Sequence, residues 1–138
     1  MTFAIHAATG PAPAELHVAP GQGAAPFPSA DWRDFPVVVL GWWLNDYDTF
    51  RRVGSAVTSS FMNGPYALVI SPAGDGRSVV VSFVRRTLDG AAAAQAPAVV
   101  PEGCYATALI DAASAVADAA AFDDPDLPAL TAALAALR

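Results

Sequence analysis

At 138 residues, with 54% hydrophobic and only 14% charged, the chain is too apolar to be disordered and is sized for one domain that buries its own core without staples. Thirteen acids against seven basic residues leave a net charge of −6, which repels nucleic-acid phosphates and anionic lipid and favours a basic partner. A lone cysteine, Cys104, closes no internal disulfide, Met1–Gly10 lacks both basic residues and a signal-length apolar run, and no stretch approaches the roughly 20 apolar residues of a membrane span. The expectation is a cytoplasmic protein of one domain, residues 1–138.

Thr2–Ala7 alternates, Phe3 and Ile5 facing one way, and Glu15–Ala19 repeats the pattern with Leu16 and Val18. Period-two alternation marks half-buried strands. Gly10-Pro11-Ala12-Pro13 between them is a turn, so the two segments form a hairpin, and Ala19–Ala30, rich in Pro, Gly and Ala, is a loop.

In the aromatic stretch that follows, Pro36, Leu40, Trp43, Tyr47 and Phe50 recur at steps of three and four. Asp34 suits the start, Arg51 and Arg52 the last turn and Gly54 the stop. The spacing predicts a helix over Pro36–Arg52. The β-branched run Val37-Val38-Val39 and Gly41 weaken a helix, and leave open a short strand leading into a shorter helix at Trp42.

Tyr66–Ser71 and Ser78–Val84 alternate around Pro72-Ala-Gly-Asp-Gly76, a tight reversal, and so form a β-hairpin. Asn63-Gly64-Pro65 is another turn, which leaves Val57–Met62 as a further strand. Asp89–Pro101 reads as an alanine and proline linker. Cys104–Ala120 reads as a helix with Tyr105, Leu109, Ala113, Val116 and Ala120 on one face. A last helix opens with Asp124 as N-cap and Pro125 in its first position, and carries the narrow stripe Leu127, Leu130, Leu134, Leu137. The fold expected is α+β: an antiparallel sheet of four or five strands with helices packed on one face, a two-layer sandwich. Leu68, Ile70, Val79, Val81, Phe83, Leu109, Val116, Leu130 and Leu134 are its expected core.

Motifs for catalysis are missing: no Gly-x-Ser-x-Gly, no phosphate-binding glycine loop, no His-Glu-x-x-His. His6 and His17 face each other across the first hairpin with Glu15 nearby, but on the polar side, where an exposed histidine needs no metal to explain it. No catalytic residue, metal site or cofactor is therefore assigned. Asp46 and Asp48 stand two apart on a helix and point away from one another, so they do not act as one clamp. Of the adjacent Trp42 and Trp43 a helix buries only one fully, which places Trp43 in the core and Trp42 at the margin, where exposed aromatics serve binding. Asp123, Asp124 and Asp126 exceed what capping requires. Two candidate partner-binding patches result, Trp42 with Asp46 and Asp48, and Asp123 with Asp124 and Asp126.

The order of hairpin, Trp-rich segment, Phe61-Met-Asn-Gly-Pro-Tyr66 hairpin and C-terminal helices, with Asp34-Phe-Pro-Val-Val-Val-Leu-Gly-Trp-Trp-Leu44 at its centre, resembles the small immunity proteins that bacteria make against their own polymorphic or contact-dependent growth inhibition toxins. All seven basic residues are arginine, a usage that fits a GC-rich bacterial genome. The resemblance implies a non-catalytic protein that neutralises a basic, nuclease-type toxin domain by tight binding. The net charge of −6 and the lack of a long apolar stretch argue against nucleic acid or membrane as partner. The competing expectations are a small hydrolase or isomerase using His6, His17 or Cys104, and a secretion chaperone or homo-oligomeric housekeeping subunit.

Overall fold

The computed structural model describes residues 3–137; Thr2 of the first alternating segment and Arg138 lie outside them. Strands β1 (Ala4–Ala7), β2 (Ala14–Ala19) and the two-residue β3 (Arg33–Asp34) form one antiparallel sheet. Strands β4 (Val57–Ser60), β5 (Tyr66–Pro72), β6 (Ser78–Thr87) and β7 (Gly90–Pro101) form a second, in chain order. Three helices complete the described chain: α1 (Pro36–Val53), α2 (Glu102–Ala119) and α3 (Leu127–Ala136). The class is α+β, and its seven strands divide between two sheets rather than extending one.

Helix α1 forms as the three-and-four spacing predicts, because Val39, Leu40, Trp43, Leu44, Tyr47 and Phe50 gain more from burial on a helical face than Val37–Val39 lose in rotamer freedom. Gly54 ends it in the left-handed region, φ 79°, its N–H donating to the Phe50 carbonyl at 2.7 Å. Asp34 does not cap it: the residue before the first turn is Phe35, and no side chain caps the helix.

The β5–β6 hairpin pairs from Tyr66 with Arg85 to Pro72 with Val79. Leu68, Ile70, Val79, Val81 and Phe83 point into the core, each burial stabilising the fold by roughly 1.5–3 kcal/mol. An Asx-type turn closes the hairpin: Asp75 Oδ1 accepts from the backbone N–H of Arg77 and of Ser78, both at 2.9 Å. Those bonds hold the Asp75 carboxyl below the usual carboxylate range.

The segment read as a linker, Asp89–Pro101, is instead mostly β7, paired with β6 from Gly90 opposite Thr87 to Pro101 opposite Ser78, with register shifts around Phe83. Alanine is a poor strand former, and long-range pairing overrides that preference here. The far end of this ribbon stands in solvent, with Leu88 at its turn fully exposed.

Helix α2 packs on β1, β6 and β7, and α1 on β2 and β4, so helices serve both sheets. Helix α3 packs on α1 and α2. It begins at Leu127, three residues after the expected cap, with Pro128 in its first turn. Asp124 shapes the preceding turn, accepting from the Asp126 N–H at 2.8 Å. All nine residues expected in the core are buried. So is Phe27, from the loop with no periodicity: it bridges to Val18 and meets Tyr66, Phe61 and Phe83 at 5.5, 5.9 and 5.1 Å between ring centroids.

Candidate functional site

On α1, the two acids part as helical geometry requires. Asp46 turns toward β4, where the Ser59 hydroxyl, 1% exposed, donates to its Oδ2 at 2.9 Å. Burial raises the Asp46 carboxyl above its ordinary value, and the Ser59 bond works against that rise. A serine and a half-buried carboxylate in contact have the composition of an activated nucleophile, but the Ser59 hydroxyl is sealed from any substrate.

Asp48 faces the other way and is already neutralised. Arg51 Nε and Arg52 Nε meet its two oxygens at 3.0 and 3.1 Å, and the Arg51 hydrogen bond first, then Arg52, holds its carboxyl below the usual range. Arg51 also donates to the Ala136 carbonyl at the end of α3, at 2.9 Å. Trp43 is fully buried and gives its indole N–H to the Ser60 carbonyl at 2.8 Å, while Trp42 remains 41% exposed. Of the first candidate patch, then, Trp42 faces solvent, Asp46 serves the interior and Asp48 is committed to two arginines.

The second patch is differently placed. Asp123 and Asp126 are exposed and Asp124 half-buried, on the connection between α2 and α3. Beside them stands Phe122, 95% exposed. No basic side chain occurs from Asp89 to Leu137, and the Asp123 and Asp126 carboxylates make no ion pair among the described residues. Sequence reasoning missed Phe122 because the signal is one aromatic in an alanine-rich segment, with no period to set its direction. The acids continue along the exposed face of α2 through Asp118 to Asp111.

Across the first hairpin His6 and His17 pair directly, as the alternation implies, and their rings stack at 4.9 Å with 24° between planes. The rings lie face to face, and no group of three or more metal-ligating side chains occurs among the described residues. The His17 Nδ1 is buried without a hydrogen-bond partner. Partial burial, and then the neighbouring His6, lower the His17 pKa, against which Glu15 acts.

Two features of the interior had no sequence signal. Asp34 is 0% exposed and accepts four N–H donors: those of Phe35 (2.9 Å) and Met62 (3.2 Å) on Oδ1, and those of the Trp32 indole (3.0 Å) and Asn63 (3.1 Å) on Oδ2. It ties the first sheet to the turn before β5. Tyr47, whose hydroxyl donates to Glu102 Oε2 at 3.0 Å, has its pKa pushed up to about 12, by burial first and then by Glu102.

Two concavities among the described residues bear on the site. One of about 370 Å³ lies where the β1–β2 turn, the start of α1 and the end of α2 meet, with Asp124 and Asp126 on its rim. The other, about 570 Å³, lies between β1 and β7 along α2, and Cys104, exposed, lines it. Among the described residues no helix is long and apolar enough to cross a membrane. No protein-family model, curated protein or solved structure matches the chain.

Proposed function

We propose that this chain is a non-catalytic binding protein that neutralises a basic protein partner, in the manner of a bacterial immunity protein occupying the working surface of a nuclease-type toxin domain. The observation that carries the reading is Phe122, 95% exposed and set among Asp123, Asp124 and Asp126. An aromatic side chain standing free in water contributes nothing to the fold that would offset its exposure, and aromatics of this kind anchor protein interfaces. Unpaired acids around it would steer a positive surface toward it and speed encounter. A toxin that must approach phosphates is itself basic, so an acidic surface can compete for the same face.

This reading prefers the α2–α3 connection over the Trp42 patch, because Asp48 is neutralised by its own arginines and Asp46 is engaged with Ser59. The test is co-expression with the product of the adjacent upstream gene, since immunity genes follow their toxins. The two chains should co-purify, and cells should survive the toxin only when this chain is present. Phe122→Ala together with Asp123→Arg should break the complex without unfolding the chain. A chain that purifies alone, with only metabolic genes beside it, would overturn the proposal.

A further inference from the structure

The groove of about 570 Å³ is bounded by the open edges of both sheets, with Ile5 of β1 and Val99 and Pro101 of β7 lining it together with Cys104, Ala108 and Asp111 of α2. Which backbone groups face it follows from the ladders. In an antiparallel pair, residues that exchange both hydrogen bonds alternate with residues that exchange none. Ala8 N–H donates to the Glu15 carbonyl, and the register continues through His6 opposite His17 and Ala4 opposite Ala19. Ile5 and Ala7 therefore turn their N–H and C=O away from β2. Leu16 and Val18, opposite them, confirm the parity by bonding the other way, to Trp32 and Phe27.

On the far side, Glu102 N–H donates to the Arg77 carbonyl, which makes Val79 with Val100 the bonded pair and turns the N–H and C=O of Val99 outward. Neither Ile5 nor Val99 makes any other backbone hydrogen bond among the described residues. The other edge of the second sheet is closed at one position, Ser60. On β4 the Ser60 carbonyl accepts the Trp43 indole N–H, and the Ser60 hydroxyl accepts Arg86.

We propose that this groove takes an extended segment of the basic partner, which adds as a strand to the β1 edge and sets a basic side chain on Asp111. The proposal rests on the reading of the partner as a basic protein. An extended backbone is the occupant that can satisfy the outward N–H and C=O of Ile5 in the groove and of Ala7 just beyond it. Its apolar side chains would cover Val99, which is 68% exposed, and Ala108. Asp111 is the one charged residue lining the groove, and it lies on the same exposed face of α2 that leads through Asp118 to Phe122. A second copy of this chain is a poor occupant: it also carries −6, and Pro97 and Pro101 on either side of Val99 deny β7 the N–H donors a long strand pairing needs.

The test pans a display library of random peptides on the whole chain and resynthesises the binders. Binders should share alternating apolar residues with an arginine or lysine and no central proline. They should shield the Cys104 thiol from alkylation and slow hydrogen exchange at the Ile5 amide. Asp111→Arg, an exposed position, should weaken them about tenfold. Binders that leave Cys104 alkylation unchanged, or that bind Asp111→Arg equally well, would overturn the groove, as would a library that yields none. Either result leaves the wider reading standing if the partner still co-purifies in a Phe122-dependent way, so the two failures are told apart.

Discussion

At the scale of single residues, the most exacting position is Asp34. A fully buried carboxylate is tolerated only when its oxygens are bonded, and here four N–H groups from two parts of the chain converge on it. Asp34→Ala removes the acceptor and leaves four part-buried donors without their partner, which should cost about 3–5 kcal/mol in urea unfolding. A loss under about 1 kcal/mol would mean that water reaches the site and replaces the carboxylate. His17 makes a second prediction, about pH. Its pKa is lowered in the fold by burial and by His6, so between the ordinary histidine value and that lowered value the unfolded chain binds more protons than the folded one. Stability from this residue is therefore present above about pH 6.5 and falls as pH drops toward the lowered value, below which it changes no further. His17→Gln should flatten that slope in a series of thermal melts across pH, and His6→Gln should flatten it in part. An unaltered slope in both variants would assign the effect elsewhere.

At the scale of elements, what the sequence discloses depends on whether an element carries its own period. The β5–β6 hairpin and α1 do: alternation around Gly74-Asp75-Gly76 and apolar steps from Pro36 to Phe50 set their faces before any tertiary contact is known. Strand β7 does not. Ala91–Ala94 has no alternation to read, and the segment becomes a strand only because β6 offers a ladder to it. The start of α3 departs from its sequence signal for a related reason, since Asp124-Pro125 has the chemistry of a cap but is used in the turn before the helix. Of the candidate site, the three acids at 123, 124 and 126 were legible and Phe122 was not, because direction in an irregular connection is decided by the packing of α2 and α3 around it. Gly41 is an element-scale case with a testable outcome. It lies mid-helix where α3 crosses, and a Cβ there would stand 3.8 Å from the Leu130 Cα, an ordinary contact. Nothing in the packing demands glycine, so Gly41→Ala should gain about 0.5–1 kcal/mol through the entropy of the unfolded chain. A destabilised variant in chemical denaturation would show that α1 and α3 pack too tightly to admit a methyl.

At the scale of the whole molecule, charge is distributed in a way that predicts how binding should depend on salt and on mutation. From Asp89 onward seven acids precede the single basic residue Arg138, while the arginines lie earlier in the chain. Asp111, Asp118, Asp123 and Asp126 are all exposed, so their field reaches solvent and is screened over about 8–10 Å at physiological salt. Charges in such a position act on encounter, whereas a desolvated aromatic acts on residence. The two roles therefore separate in kinetics with the basic partner. Asp123→Arg with Asp126→Arg should slow association by about tenfold or more and make it much less sensitive to salt, with dissociation changed little. Phe122→Ala should leave association nearly intact and speed dissociation, at a cost of about 2 kcal/mol if the ring is the anchor. Stopped-flow association and surface-capture dissociation at two ionic strengths measure both. If charge reversal altered dissociation alone, the acids would lie inside a desolvated contact rather than around it. If Phe122→Ala changed neither rate, the ring would lie outside the interface, and the exposed Trp42 on α1 would become the anchor to examine next.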